Sequence, residues 1–269
     1  MRFIANHDFH IHTGLSLCSG DENQNPESIL AFAKAHGLKK VCLTNHFWDE
    51  DVPGDLTTFY ERQGFERLKR ALPLPRDPEV KMLFGCECDL DKNMRLGITR
   101  ERFDDFDFAV ISTTHFHMRG FTISEEDAAS LARRAVKYVE RLDAVLDMDL
   151  PFNKIGLAHL TSHLIANGTW EEHMRVLDMI PDSEFLRLFS RATKLGAGIE
   201  LNFKVYKYEP RDLERVLRPY RIARAAGAKF YLGSDAHHSV DMDGEIVENF
   251  EKIIDLLDLK ECNKLELAR

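Results

Sequence analysis

Residues 231–239 read YLGSDAHHS. A short apolar run ends in Asp235, His237 and His238, three side chains that are costly to strip of water. The same arrangement recurs along the chain. FIA (3–5) runs into Asp8, His10 and His12, and KVCLT (40–44) into Asn45 and His46. KMLFGC (81–86) meets Glu87, FAVIST (108–113) meets His115, and KIGLAH (154–159) ends on His159. GIELNF (198–203) carries Glu200 and Asn202, and KFYLGS (229–234) leads into the opening stretch. Several of these runs are apolar on consecutive positions, as expected of parallel strands covered on both faces.

Amphipathic segments lie between them. Asn25 and Pro26 read as N-cap and first residue of a helix ending at Gly37. Residues 57–72 read as a helix carrying Phe59, Tyr60, Phe65 and Leu68. Ser124 precedes a long helix with Leu131, Ala135, Val139, Leu142 and Leu146 at helical spacing. Asp182 reads as the cap of a helix ending at Gly196. Residues 211–226 and 244–258 complete the alternation. The expected fold is α/β, a distorted (β/α)7 TIM-like barrel formed by a single domain over 1–269. Stretches 47–56 and 89–103 follow strand ends and are expected to wall the site.

In such a barrel all C-terminal strand ends open on one face, so the polar groups converge there. His10 and His12 are two apart and point to one side of an extended chain. Imidazole with carboxylate is a donor set for zinc, iron or manganese, and there are too many donors for one four-coordinate ion. Two or three divalent ions are expected, with Glu87 able to bridge a pair. Asp8 and Asn45 are read as supports for ligand histidines. His7, His36 and His173 are read as bystanders, His7 flanking the cluster and the other two on helix surfaces. Cys86 and Cys88, alternating with Glu87, are read as packing residues.

Composition narrows the function. The 269 residues are 44% hydrophobic and 30% charged, with a net charge of −9 and no basic run. That argues against sequence-independent nucleic-acid binding. The five cysteines show neither a disulfide framework nor a zinc-ribbon pair. There is no signal-peptide core and no apolar stretch long enough for a bilayer, so a reduced, cytoplasmic protein with no membrane partner is expected.

The pieces DFHIHT (8–13), TNH (44–46), GCE (85–87), ISTTH (111–115), LAH (157–159), IELN (199–202) and GSDAH (233–237) resemble, in order, the PHP family of polymerase and histidinol phosphatase metallohydrolases. The resemblance implies a distorted (β/α)7 barrel commonly holding three metals. It places His10, His12, Glu87 and Asp235 around one ion, with Glu87 bridging to a second at His115 and His159. His46 and His237 would hold a third, with Cys18 as a further ligand. A buried loop cysteine, with Asp21 as ligand in its place, is the alternative. Asn45 stands where the family usually has aspartate.

The expected activity is hydrolysis of a phosphate monoester by a metal-bridging hydroxide. Histidinol phosphate is the leading substrate, which would place the chain in histidine biosynthesis. Arg119, Lys204, Lys207 and Arg211 are candidates to hold the small phosphorylated metabolite. His117 and His238 are the nearest candidates for an acid, with Glu87 counted in the catalytic set. Phosphodiesterase or amidohydrolase-type chemistry on the same barrel, or a non-catalytic metal-binding module, are the rivals.

Overall fold

A computed structural model describes residues 1–54, 56–166 and 168–267. Seven strands form one parallel sheet in sequence order: β1 (His7–Ile11), β2 (Lys40–Phe47), β3 (Lys81–Asp89), β4 (Phe108–Ser112), β5 (Ile155–Ala158), β6 (Gly198–Leu201) and β7 (Lys229–Leu232). The first and last strands meet at their C-terminal ends. There Asp235 N donates to His10 O at 2.8 Å and His12 N to Ala236 O at 3.0 Å. The result is a nearly closed, distorted barrel of the (β/α)7 type.

Around it lie α1 (Pro26–Ala35), α2 (Phe65–Leu68), α3 (Glu125–Ala128), α4 (Leu131–Asp147), α5 (Trp170–Met179), α6 (Asp182–Leu195), α7 (Pro210–Ala225) and α8 (Gly244–Leu256). Alternation along the strands makes two cores. Outward residues such as Val41, Leu43, Cys86, Cys88, Ile111, Leu157 and Leu201 pack against the helices. Inward residues Phe9, Cys42, Leu83, Phe108, Val110, Ala158 and Tyr231 fill the barrel below the mouth. Gly156 makes room for this plug, since a Cβ there would stand 2.5 Å from the Tyr231 ring.

Sequence and structure part in five places, one being the expected long helix after Ser124, which is split into α3 and α4 with Ser130 as a second N-cap. The first strand begins at His7, not Phe3, because residues 2–3 pair instead with the C-terminal segment near Leu259 and Lys260. β2 and β3 run on through His46 and Glu87, so these donors lie within strands. The expected helix over 57–72 is broken into a 3₁₀ turn (Tyr60–Arg62), the short α2 and a second 3₁₀ turn (Lys69–Ala71). The break falls at Gly64, where extended backbone lets the Glu50 carboxylate accept from Phe65 N at 2.9 Å. Pro181, not Asp182, is the N-cap of α6.

Between β1 and β2 the register skips. Asp8 pairs with Val41 and Ile11 with Leu43, leaving Phe9 and His10 opposite Cys42 alone. This β-bulge ends the inward hydrophobic plug at Phe9 and starts the polar mouth at His10. Such a bulge re-aims every later side chain of the strand.

Candidate metal centre

Every strand but β6 delivers a donor to the mouth. His10 comes from β1, His46 from β2 and Glu87 from β3; His12 directly follows β1, and His115, His159, Asp235 and His237 follow β4, β5 and β7. Their ligand atoms form three sets, each within 4.8 Å: His10, His12, Glu87 and Asp235; Glu87, His115 and His159; and His12, His46 and His237. Apart from Asp235 and His237, these groups are buried.

The second nitrogen of each ring shows which atom is left for a ligand. His10 Nδ1 donates to Glu200 Oε1 at 2.6 Å, and His12 Nδ1 to Ser16 Oγ at 2.8 Å. His115 Nδ1 donates to Asp89 at 3.0 Å, and His159 Nδ1 to Thr114 Oγ1 at 2.8 Å. His237 Nδ1 donates to the Asp235 carbonyl at 2.8 Å. Five imidazoles are thereby fixed with Nε2 free as an electron-pair donor.

The free atoms crowd together. His10 Nε2 and His12 Nε2 stand 3.1 Å apart. Asp235 Oδ1 lies 3.4 and 3.2 Å from them, and Glu87 Oε2 lies 3.5 and 3.3 Å from them. Donors about 2.0 Å from a tetrahedral zinc are about 3.3 Å from one another, so this set fits a cation. Glu87 faces two ways. Its Oε1 is 2.9 Å from His159 Nε2 and 3.9 Å from His115 Nε2, while its Oε2 is 2.9 Å from His46 Nδ1. Glu87 Oε2 and His46 Nδ1 are nevertheless buried without a hydrogen-bond partner, as expected of atoms awaiting a ligand. Burial opposes charge on Glu87, yet His46 and His10 hold it well below the usual carboxylate range.

The backbone is bent to present the donors. His159 and Asp235 adopt positive φ, 34° and 54°. Such conformations cost about 1–3 kcal/mol each and persist where surroundings enforce them. Here Glu200 Oε2 accepts from His159 N at 2.6 Å, and His10 O accepts from Asp235 N.

Two cavities open from the cluster, and Asp235 lines both. One, of about 620 Å³, is walled by Phe59, Tyr60, Met118, Phe121 and Leu164, with Cys18, His117 and Arg119. The segment after β2 gives this wall Thr57, Phe59 and Tyr60, while no described residue of the expected stretches 47–56 and 89–103 lines either cavity. Trp48 and Val52 instead pack with Tyr60 and Phe121 in a small core behind it. The other, of about 440 Å³, carries Lys204, Lys207, Asp241, Asp243 and Glu245 beside Trp170 and Tyr208.

Other expected site residues lie elsewhere. His238 and Arg211 line neither cavity. Asp21 binds the Ser239 backbone and hydroxyl, tying two mouth loops together away from the donors. Cys18 is exposed, not a buried loop cysteine, and its side chain meets the His46 imidazole. Asn45 supports His12 rather than His46, because its Oδ1 accepts from the same Ser16 hydroxyl that orients His12. Asp8 binds the backbone of His10 and Ser234, not a ring. His7 and His173 are buried in the fold. Asp89, Thr114 and Ser16, which the sequence reading did not single out, orient three of the histidines. Asp89 carried a signal, since it lies two residues beyond Glu87 on one strand and so shares its side.

A parallel β/α barrel with a histidine–carboxylate cluster at its C-terminal mouth, fit for more than one cation, defines the class. Within it, the chain belongs to the PHP domain family, which matches residues 8–204. It is 23% identical over 235 residues, 87% of this chain and 80% of the relative, to a probable phosphatase of Caldicellulosiruptor bescii. Its fold resembles a histidinol phosphate phosphatase from Lactococcus lactis, solved with zinc, L-histidinol and phosphate. That likeness has a TM-score of 0.62 at 17% identity, over 97% of this chain and 99% of the other. Family and relatives support a hydrolase.

Proposed function

We propose that the protein is a metal-dependent phosphatase acting on the monoester of a small metabolite, with histidinol phosphate the first candidate. The observation that carries this is the Glu87 carboxylate, whose two oxygens face separate histidine sets. That is what a carboxylate bridging two cations requires. When bound, zinc, manganese or iron ions would activate a water and neutralise charge on the phosphoryl oxygens.

The chain's residues take roles around them. His10, His12, Glu87 and Asp235 hold one ion, Glu87, His115 and His159 a second, and His46 and His237 a third, with Cys18 beside His46. Arg119 on one side and Lys204 and Lys207 on the other offer cations to the phosphate and its substituent. His117, on the wall of the larger cavity, is the candidate to serve the leaving oxygen. A hydrolase on a histidine biosynthetic intermediate, in the cytoplasm, is the biological setting of this reading. The zinc-bound histidinol phosphate phosphatase of like fold and the probable phosphatase relative support it.

The test is phosphate release from a panel of monoesters, diesters and amides with added manganese or zinc. Turnover of monoesters, histidinol phosphate foremost, is expected, and Glu87→Ala should abolish it. Faster turnover of diesters or amides, or full activity in Glu87→Ala, would overturn the reading.

A further inference from the structure

Hydropathy places Arg134 and Arg141 among the polar positions of α4, yet both are buried, with exposures of 3% and 1%. Neither guanidinium has a carboxylate partner among the described contacts. Each donates only to main-chain carbonyls. Burying a cation this way is expensive unless its donors are matched, and Arg141 matches four. Its Nε donates to Thr113 O at 2.8 Å, and Nη2 to Leu90 O at 2.9 Å. Nη1 donates to Asp91 O at 3.1 Å and Thr122 O at 2.5 Å.

These carbonyls belong to three separate chain segments. Leu90 and Asp91 directly follow Asp89, the acceptor for His115 Nδ1. Thr113 directly precedes Thr114, the acceptor for His159 Nδ1. Thr122 donates its own hydroxyl to the His115 carbonyl. One guanidinium thus pins the backbone behind Asp89 and Thr114, whose side chains hold the His115 and His159 rings, and behind Thr122 on the His115 carbonyl. Of the rings in the other two donor sets, His10, His12 and His237 are aimed by Glu200, Ser16 and the Asp235 carbonyl, none of which Arg141 touches. Arg134 holds Ala128, Ile165 and Ala166, away from all the aiming groups.

We infer that Arg141 is a positioning residue for a single cation position, the one defined by Glu87, His115 and His159. The inference rests on the reading of the cluster as a metal centre. Losing the clamp frees two imidazoles to turn and leaves the remaining donors undisturbed. Altering groups that orient ligands typically weakens metal binding about 10–100-fold.

The test is a stepwise zinc-binding isotherm on the full chain, with metal content after dialysis and a thermal melt. Arg141→Met should weaken one binding step at least about tenfold and lose one ion, with the other steps at wild-type affinity. Thr122→Val, which removes the hydroxyl shared by the His115 and Met118 carbonyls and leaves Arg141 in place, should affect the same step and carries the test if Arg141→Met does not fold. Arg134→Met is the control: it should lower the melting temperature and keep full metal content. Wild-type binding at every step in both Arg141→Met and Thr122→Val, or a uniform loss matching Arg134→Met, would overturn the inference. A wild-type chain that binds no metal would instead overturn the reading of the cluster itself.

Discussion

The Glu200 carboxylate spans from the His10 ring to the His159 backbone: Oε1 accepts from His10 Nδ1 and Oε2 from His159 N, each at 2.6 Å. One buried side chain on β6 therefore fixes a donor on β1 and the strained residue that carries a donor after β5. A glutamine keeps the size but has one acceptor oxygen in place of two. Glu200→Gln must leave one of these N–H groups facing an amide NH₂. Metal affinity is expected to fall about 10–100-fold with the fold retained. Competition with a chromophoric chelator measures this, and unchanged affinity would remove Glu200 from the site.

Gly233 is the space that makes this contact possible. A Cβ there would stand 2.2 Å from Glu200 Oε1 and 2.8 Å from His10 Cβ. Gly233→Ala should push the two apart, costing about 1–3 kcal/mol of stability and lowering metal content. A melt with elemental analysis of the same sample decides the point. A stable variant with full metal content would show that the site yields freely.

Much of this was readable beforehand. His10, His12, His46, Glu87, His115, His159, Asp235 and His237 each stand at the end of an apolar run, and a barrel must bring such ends together. Tertiary partners are harder to read. Ser16 and Thr114 are small hydroxyl residues that gain meaning only when a ring nitrogen lies beside them. Arg134 and Arg141 fall on the polar side of any hydropathy pattern, and only the surrounding carbonyls make their burial tolerable. The break at Gly64 depends on Glu50, fourteen positions earlier and with no periodic signal. The bulge at Phe9–His10 left the H-x-H spacing intact and so left no trace in the pattern.

Cys18 offers sulfur at the margin of the His46 and His237 pair, and thiolate favours zinc over manganese. Cys18→Ala should weaken zinc binding at one step by about tenfold and leave manganese binding nearly unchanged. Zinc should also slow alkylation of Cys18 in the native chain. Equal alkylation rates with and without zinc would show that the thiol stays off the metal.

His173 sets an acid limit on stability that is independent of the cluster. The ring is 1% exposed, its Nε2 donates to the Thr161 carbonyl at 3.0 Å, and Trp170 meets it edge-on at 5.4 Å. Its Nδ1 is buried without a partner, so a second proton would go unpaired. Burial accordingly pushes its pKa from 6.5 down to about 4. Between those values the unfolded chain binds a proton that the folded chain refuses. The folded state has its full advantage above pH 6.5 and loses it as pH falls toward 4. At pH 5 the loss is about 2 kcal/mol. Glutamine can keep the donor to Thr161 but cannot titrate. His173→Gln should thus be the less stable protein at pH 7.5, through lost packing, and should close the gap on wild type by about 2 kcal/mol at pH 5. Urea unfolding in the presence of chelator, at both pH values, measures the gap while the other histidines titrate alike in both proteins. A gap that stays constant would mean that His173 takes up its proton inside the fold.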